Sequence, residues 1–258
     1  MCKFGNLLFT KNDLMKITKL VILFNYQKIL LGIMVSIFLL ALSFWIESES
    51  LILILRIISG LIILNIIASL VASYILYDRS DLYTLKNLKE IVDWTKTEHA
   101  ILVHASFDPL SRTLEEKHPD LHLTVCDIFE NRHEKDKGIK ISKKVFPPNP
   151  KEIKISPDKL PFEDQSQDII LAVTALHEIL DHHQKVLFFK EAKRILKDGG
   201  VIMMSEQFRD LTNFIFFNIG AFHFISEKKW KKAIHEAGLQ IVKNEEITPF
   251  ANMFVMKE

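Results

Sequence analysis

The stretch from Leu160 to Asp210 limits the fold more than any other part of this chain. Leu160-Pro161-Phe162 is followed by an apolar segment, Asp168 to Val173. A short apolar run bounded by turn residues reads as a buried strand. Thr174 to Glu178 is a polar run at its end. Asp181 and Gln184 then have the spacing of a capping box. Val186, Phe189, Ala192, Lys193 and Leu196, widened by Phe188 and Ile195, fall on one side of a helix. Lys197-Asp198-Gly199-Gly200 reads as the helix stop, with a glycine where left-handed backbone is expected. Val201 to Ser205 is a second buried strand, ending in Glu206. Strand, helix and strand make half of an open α/β sheet. Ligands of such sheets bind at the carboxyl ends of the strands, where these polar residues fall.

The first third has a different character. The chain has 258 residues, enough for one domain and an appendage, and its 48% hydrophobic content is concentrated before residue 78. Residues 1–28 carry five lysines and one acid, Asp13. Ile29 to Ile46 is uncharged and apolar, and so is Ile57 to Tyr77 after Arg56. Each run is long enough to span a bilayer, so residues 29–77 read as a transmembrane helical hairpin with a short acidic turn at Glu47 and Glu49. A helical hairpin buried in a soluble core is the alternative. The first run lacks a signal-peptide cleavage site and is followed at once by the second. Lysines precede the hairpin, and Arg79, Lys86 and Lys89 follow it. That bias puts both termini and the soluble domain on the cytoplasmic side of the inner membrane. Arg56, near the outer face, is expected to snorkel to the headgroups. Ser59, Gly60, Ala68, Ser69, Ala72 and Ser73 suit close helix packing or a homodimer contact.

The net charge of +1 gives no bulk attraction to nucleic acid, and none is expected as a partner. Cys2 and Cys126 lack ligand spacing, so neither a disulfide framework nor a metal site is expected.

Residues 78–99 read as a linker helix, with Leu82, Leu85, Leu88 and Ile91 at helical spacing. The globular domain is residues 100–258. Ala100 to Ala105 is its first strand, and Leu121 to Cys126 its second, ending in Asp127. A carboxylate at that place accepts hydrogen bonds from both ribose hydroxyls of an adenosine ligand. Glu130 to Pro150 is a charged insertion, or a flap bringing Arg132 and His133 beside the ribose. Glu152 to Ser156 alternates as a third strand. Leu211 to Ile225 has five phenylalanines and no Asp, Glu, Lys or Arg. It reads as a helix on the sheet, an apolar lid over the site, or a surface dipping into the bilayer. A helix over Ser226 to Ala237, stopped by Gly238, and a strand pair, Leu239 to Ile247 and Ala251 to Met256, complete the chain.

Leu160-Pro161-Phe162 with Asp168, the Lys197 to Gly200 turn and the late strand pair resemble a class I S-adenosylmethionine (SAM)-dependent methyltransferase of the type 11 kind. The resemblance covers residues 100–258. It implies a Rossmann-like α/β fold, a mostly parallel seven-stranded sheet with an antiparallel last strand, here preceded by the two-helix transmembrane hairpin. It implies SAM as cofactor, with Ala105, Phe107, Asp108, Asp127, Asp158, Leu160 and Thr174 at its site. By position, His177 and Glu178 are the catalytic candidates, with His223 as a second acid–base residue. Glu206, Arg209, Asn213 and Trp230 fall on the substrate side. The sequence departs from the family at the first loop: Ala105, Phe107 and Pro109 stand at the three glycine positions and Val103 at the preceding acid. Tyr77 to Tyr83, His177-Glu178, Glu206, Arg209-Asp210, Asn213 and His223-Phe224 more narrowly resemble a group of membrane-anchored methyltransferase-like proteins. The expected activity is methyl transfer to a lipophilic or membrane-associated small molecule. The alternative is a catalytically inactive methyltransferase-like binding or assembly module, motivated by the missing glycines. A nicotinamide enzyme fits less well, since its site depends more directly on those glycines.

Overall fold

The computed structural model describes residues 16–83, 92–129 and 137–258 and divides the chain into two compact units, Met1–Arg79 and Ser80–Glu258. Residues 84–91 of the expected linker helix and the expected flap residues Arg132 and His133 lie outside the described residues.

In the first unit, α1 is Lys16–Leu42 and α2 is Glu49–Ser73, which runs on into a π turn, Tyr74–Arg79. α1 begins well before the expected Ile29 and takes Lys16, Lys19 and Lys28 into the helix. Its first amides find their acceptor at the far end of the hairpin. The Asp78 carboxylate takes the N–H groups of Ile17 (2.9 Å) and Thr18 (2.7 Å) and the Thr18 hydroxyl. Helix amino termini leave such donors unsatisfied, and Asp78 caps this one from the end of α2. Midway, Ser36 and Ser59 exchange hydroxyl-to-carbonyl hydrogen bonds at 3.0 and 2.9 Å. Ser59, Ala72 and Ser73 are buried inside the hairpin, so those small residues serve the α1–α2 contact. Arg56 donates to the Ser43 hydroxyl at 3.2 Å and lies 5.3 Å from the Phe44 ring, beside the turn between the two helices. Both helices are long and apolar enough to cross a membrane. Only 11% and 6% of their most apolar windows are buried among the described residues.

The second unit is built on seven strands: β1 His99–His104, β2 His122–Asp127, β3 Ile153–Lys154, β4 Gln167–Val173, β5 Leu196–Glu206, β6 Gln240–Thr248 and β7 Ala251–Lys257. Their order is β3-β2-β1-β4-β5-β7-β6. Every neighbouring pair is parallel except those made by β7, which runs antiparallel to both β5 and β6. The order reverses between β1 and β4, which opens a crevice at their carboxyl ends. Residues 100–103 and 169–172, paired across that reversal, are all buried, as central strands covered on both faces must be.

Helices α3 (Ser111–Lys117), α4 (Lys137–Val145), α5 (His182–Ile195), α6 (Leu211–Phe217) and α7 (Glu227–Glu236) complete the unit. Asp181 caps α5 by accepting from the Gln184 N–H at 2.9 Å, as its spacing predicts. Strand β5 starts at Leu196 rather than Val201, so Lys197 to Gly200 lies within the strand as a local irregularity. Gly199 has φ +78°, and a Cβ on Gly200 would stand 2.9 Å from the Asp168 carbonyl oxygen. Both glycines are needed for the chain to leave α5 and join β4 at once.

Candidate active site

Two groups of side chains gather at the carboxyl ends of the strands. The first surrounds the loop after β1. Ser106 takes the left-handed conformation (φ +58°) in a loop without glycine. Two carboxylates brace it. Asp127, at the end of β2, accepts the N–H groups of Ser106 (3.0 Å) and Phe129 (2.9 Å) on Oδ1. Asp108 accepts those of Leu110 (3.0 Å) and Ser111 (2.9 Å) on its own Oδ1, capping α3. Its Oδ2 is buried without a hydrogen-bond partner among the described residues. Phe107 meets Phe146 edge-on at 5.1 Å and Tyr83 at 6.3 Å. The Tyr83 hydroxyl bonds the Thr174 hydroxyl at 2.7 Å, and Thr174, at the end of β4, is also left-handed (φ +48°). Strained non-glycine backbone gathers at ligand sites more often than elsewhere. Ala105, next to Ser106, packs against the core.

Ala105, Phe107, Asp108, Asp127 and Thr174 thus lie at or just beyond the carboxyl ends of β1, β2 and β4. Asp158 is an exposed residue that accepts from the Ser156 hydroxyl. Leu160 is corrected. Its side chain is core, its N–H donates to Glu191 at 2.9 Å and its carbonyl accepts from Arg194 at 3.0 Å, so its backbone is committed to α5.

His104 stands at the same end of the sheet, where the strand pattern hid it. It is buried at the end of β1, with Nε2 3.3 Å from a Glu152 carboxylate oxygen and Nδ1 4.0 Å from Asp127. Neither ring nitrogen completes a hydrogen bond among the described residues. A histidine closing an otherwise apolar strand was the available signal. Cys126 beside it is inert, because burial pushes its thiol up to about 12.

The second group lies past β4 and β5. Glu206, the last residue of β5, is 1% exposed. Its Oε1 accepts three successive N–H groups, from Ala175 (3.0 Å), Leu176 (2.8 Å) and His177 (3.2 Å). Its Oε2 lies 2.8 Å from His177 Nδ1. A carboxylate only accepts here, so His177 carries its proton on Nδ1 and turns Nε2 away from Glu206. Burial disfavours the charged ring, but Glu206 and then Glu178 outweigh it, and the His177 pKa lies above its ordinary value. His177 Nε2 is 3.7 Å from Glu178 Oε1, which is 3.3 Å from His223 Nε2. The two imidazoles meet edge-on at 5.0 Å. The three expected catalytic residues therefore form one cluster. His223 ends a 3₁₀ turn, Asn218–His223, and Arg209 fastens that segment through the carbonyls of Phe224 (2.8 Å) and Phe222 (2.5 Å).

Of the four expected substrate contacts, Glu206, Asn213 and Trp230 are buried and Arg209 is exposed. Glu206 is enclosed and spends its oxygens on His177 and the turn. Arg209 is bound to backbone carbonyls. Asn213 is fully buried and ties α6 to the carbonyls of Phe208 (2.9 Å) and Phe250 (3.0 Å). Trp230 is 0% exposed and stands edge-on to Phe189 in the core.

Beside His223 opens a cavity of about 590 Å³, lined among others by Leu180, Lys185, Arg209, Phe222 and Lys229. Lys185 is held by the Leu180 carbonyl at 2.8 Å, and burial lowers its pKa to about 8. On the adjoining segment Leu211, Phe214, Ile215, Ile219 and Phe222 are exposed. Leu211, Phe214 and Ile215 share one face of α6 by their spacing.

A doubly wound sheet with its reversal at β1/β4 and an antiparallel β7 defines the protein class: a Rossmann-like methyltransferase fold. Residues 109–204 match a family model described as a methyltransferase domain. Among solved structures it is similar to the PH0226 protein of Pyrococcus horikoshii OT3, with 17% identity over 69% of this chain and 90% of that one, at a TM-score of 0.51. It is also similar to SAM-dependent methyltransferases from Aquifex aeolicus (14% identity, 68% and 91% covered, TM-score 0.47) and Methanosarcina mazei (13%, 66% and 95%, 0.47). No curated protein matches the chain.

Proposed function

We propose that the chain is a membrane-anchored methyltransferase that moves the methyl group of SAM to a lipophilic acceptor, with the crevice at β1, β2 and β4 as the cofactor side and the His177–Glu178–His223 cluster as the acceptor side. The observation that carries this reading is the cluster itself, built on the buried Glu206 at the strand ends. SAM supplies an electrophilic methyl on a sulfonium, and its amine and ribose hydroxyls are hydrogen-bond donors. The strand ends offer acceptors to match: Asp127, the Thr174 hydroxyl and Asp108 Oδ2, which has no partner among the described residues. That orphaned, buried oxygen favours an occupied site over an inactive module, in which it would cost roughly 1–3 kcal/mol unrelieved. Asp127 and Asp108 fix the loop that glycines shape elsewhere, while Phe107 and Tyr83 give the crevice an aromatic wall.

On the acceptor side, placement in line with the methyl group carries most of the rate. His177, fixed in one tautomer by Glu206, presents Nε2 to activate the acceptor's nucleophile together with Glu178 and His223. The cavity beside His223 and the exposed face of α6 support an acceptor with an apolar body, and the lysines of the cavity wall favour an anionic group on it. The two apolar helices support delivery of that acceptor from a bilayer. The test is to incubate the full chain in detergent with methyl-labelled SAM and a membrane lipid extract. Label should enter the organic-soluble fraction in proportion to protein. Label appearing only in water-soluble material would overturn the lipophilic acceptor, and none in either fraction the methyltransferase reading.

A further inference from the structure

The acceptor-side cluster also has the composition and spacing of a metal centre. Donor atoms of His177, Glu178 and His223 all lie within 4.8 Å of one another. Two of the edges, 3.7 Å from His177 to Glu178 and 3.3 Å from Glu178 to His223, can be compared with coordination geometry. Metal–nitrogen and metal–oxygen bonds of about 2.0–2.2 Å place tetrahedral neighbours roughly 3.4 Å apart. The observed edges bracket that value.

A second observation is independent of those distances. Ligating histidines characteristically give their other ring N–H to a carboxylate, which fixes the tautomer and raises the basicity of the ligating nitrogen. His177 does this with Glu206 at 2.8 Å, and Glu206 is itself fixed by three backbone N–H groups. The carboxylate therefore stands one shell behind the donors and is 1% exposed. His223 comes from a different segment, which Arg209 holds in place. Its imidazole is half exposed, leaving the outer side of the cluster open to the neighbouring cavity. Three protein donors and an open position describe a catalytic rather than a structural site.

We propose that His177, Glu178 and His223 bind one divalent first-row transition-metal ion. Two imidazoles and one carboxylate suit zinc, manganese or iron(II), whereas magnesium and calcium take oxygen ligands. The ion deepens the function given above. An acceptor oxygen on the open position loses its proton to solvent more readily, and the cluster then acts as a Lewis acid. The ion's role rests on the methyl-transfer reading, but its binding does not.

The experiment uses full-length chain without a histidine tag, stripped with chelator and titrated with zinc chloride by calorimetry. Metal content after dialysis is measured on the same samples. One zinc per chain is expected, and His223→Ala and Glu178→Gln should each weaken binding at least tenfold. Thermal unfolding of the stripped proteins should be unchanged by His223→Ala, since that imidazole is half exposed. No zinc retained, or zinc retained equally by both variants, overturns the proposal. The latter would place the metal elsewhere, for example at the surface pair His182 and Glu236. SAM is titrated in parallel. A chain that binds SAM and no metal loses only this inference, and one that binds zinc and no SAM loses only the methyltransferase reading.

Discussion

Glu206→Gln should lower methyl transfer by about 10²–10⁴-fold while the protein stays folded. The substitution keeps the volume of a side chain that is 1% exposed, and the amide oxygen can still accept from the turn at Ala175, Leu176 and His177. The other end changes sign: an NH₂ group now faces His177 Nδ1, where a carboxylate oxygen stood at 2.8 Å. Two donors cannot share that contact. The ring must give up its Nδ1 proton and carry one on Nε2, and the lone pair that faces Glu178 is lost. An imidazole in that tautomer can neither take a proton nor ligate a cation at Nε2. The check is turnover with labelled SAM alongside thermal unfolding. A rate within threefold of the unsubstituted protein, at equal folding, would remove His177 from the chemistry.

The second large effect falls on stability. Trp230→Ala should destabilise the protein by about 3–5 kcal/mol, the usual cost of emptying a buried aromatic site. Trp230 has no exposed surface and packs against Phe189 with ring centroids 6.3 Å apart. The ammonium of Lys185 lies 5.9 Å from its ring, so the indole also supports the wall of the cavity. That loss is a large part of a typical total of roughly 5–15 kcal/mol. Denaturant unfolding of full chain in detergent measures it. Were Trp230 an acceptor contact, its loss would instead raise KM and leave the unfolding midpoint in place.

Trp230 also shows where reading the sequence stops. Its spacing with Ile234 and Ala237 marked a buried helix face, and that face is the core; the resemblance alone made it a substrate residue. The sheet was legible because its central strands are continuous apolar runs, as in 169–173 and 201–204, and because Gly199 and Gly238 stand where the chain turns with positive φ. His177 and Glu178 could be placed for the same reason, since strand ends can be found from runs, whereas His223 lies in a 3₁₀ turn away from any strand end.

Contacts between distant segments were not legible. Nothing local ties Asp78 to Thr18, Tyr83 to Thr174, or Arg209 to the carbonyls of Phe222 and Phe224. Those pairings depend on topology, and they make Arg209 and Asn213 fasteners of their segments. Charged residues at a strand end looked costly without a ligand, but Glu206 is satisfied by backbone amides that a sequence does not display. His104 was overlooked because an apolar strand was read for its pattern rather than for its exception.

The loop after β1 remains the point on which the functional account turns, because Asp127 and Asp108 hold it without glycine. Calorimetric titration of the full chain with SAM, repeated with Asp127→Asn, tests that directly. The asparagine keeps an Oδ1 acceptor for the amides of Ser106 and Phe129, while it removes the charge and puts an NH₂ donor in place of the Oδ2 acceptor. One SAM per chain should bind to the unsubstituted protein, and the variant should bind at least tenfold more weakly, a loss of about 1.4 kcal/mol or more. Absence of SAM binding by the folded, unsubstituted chain would contradict the account.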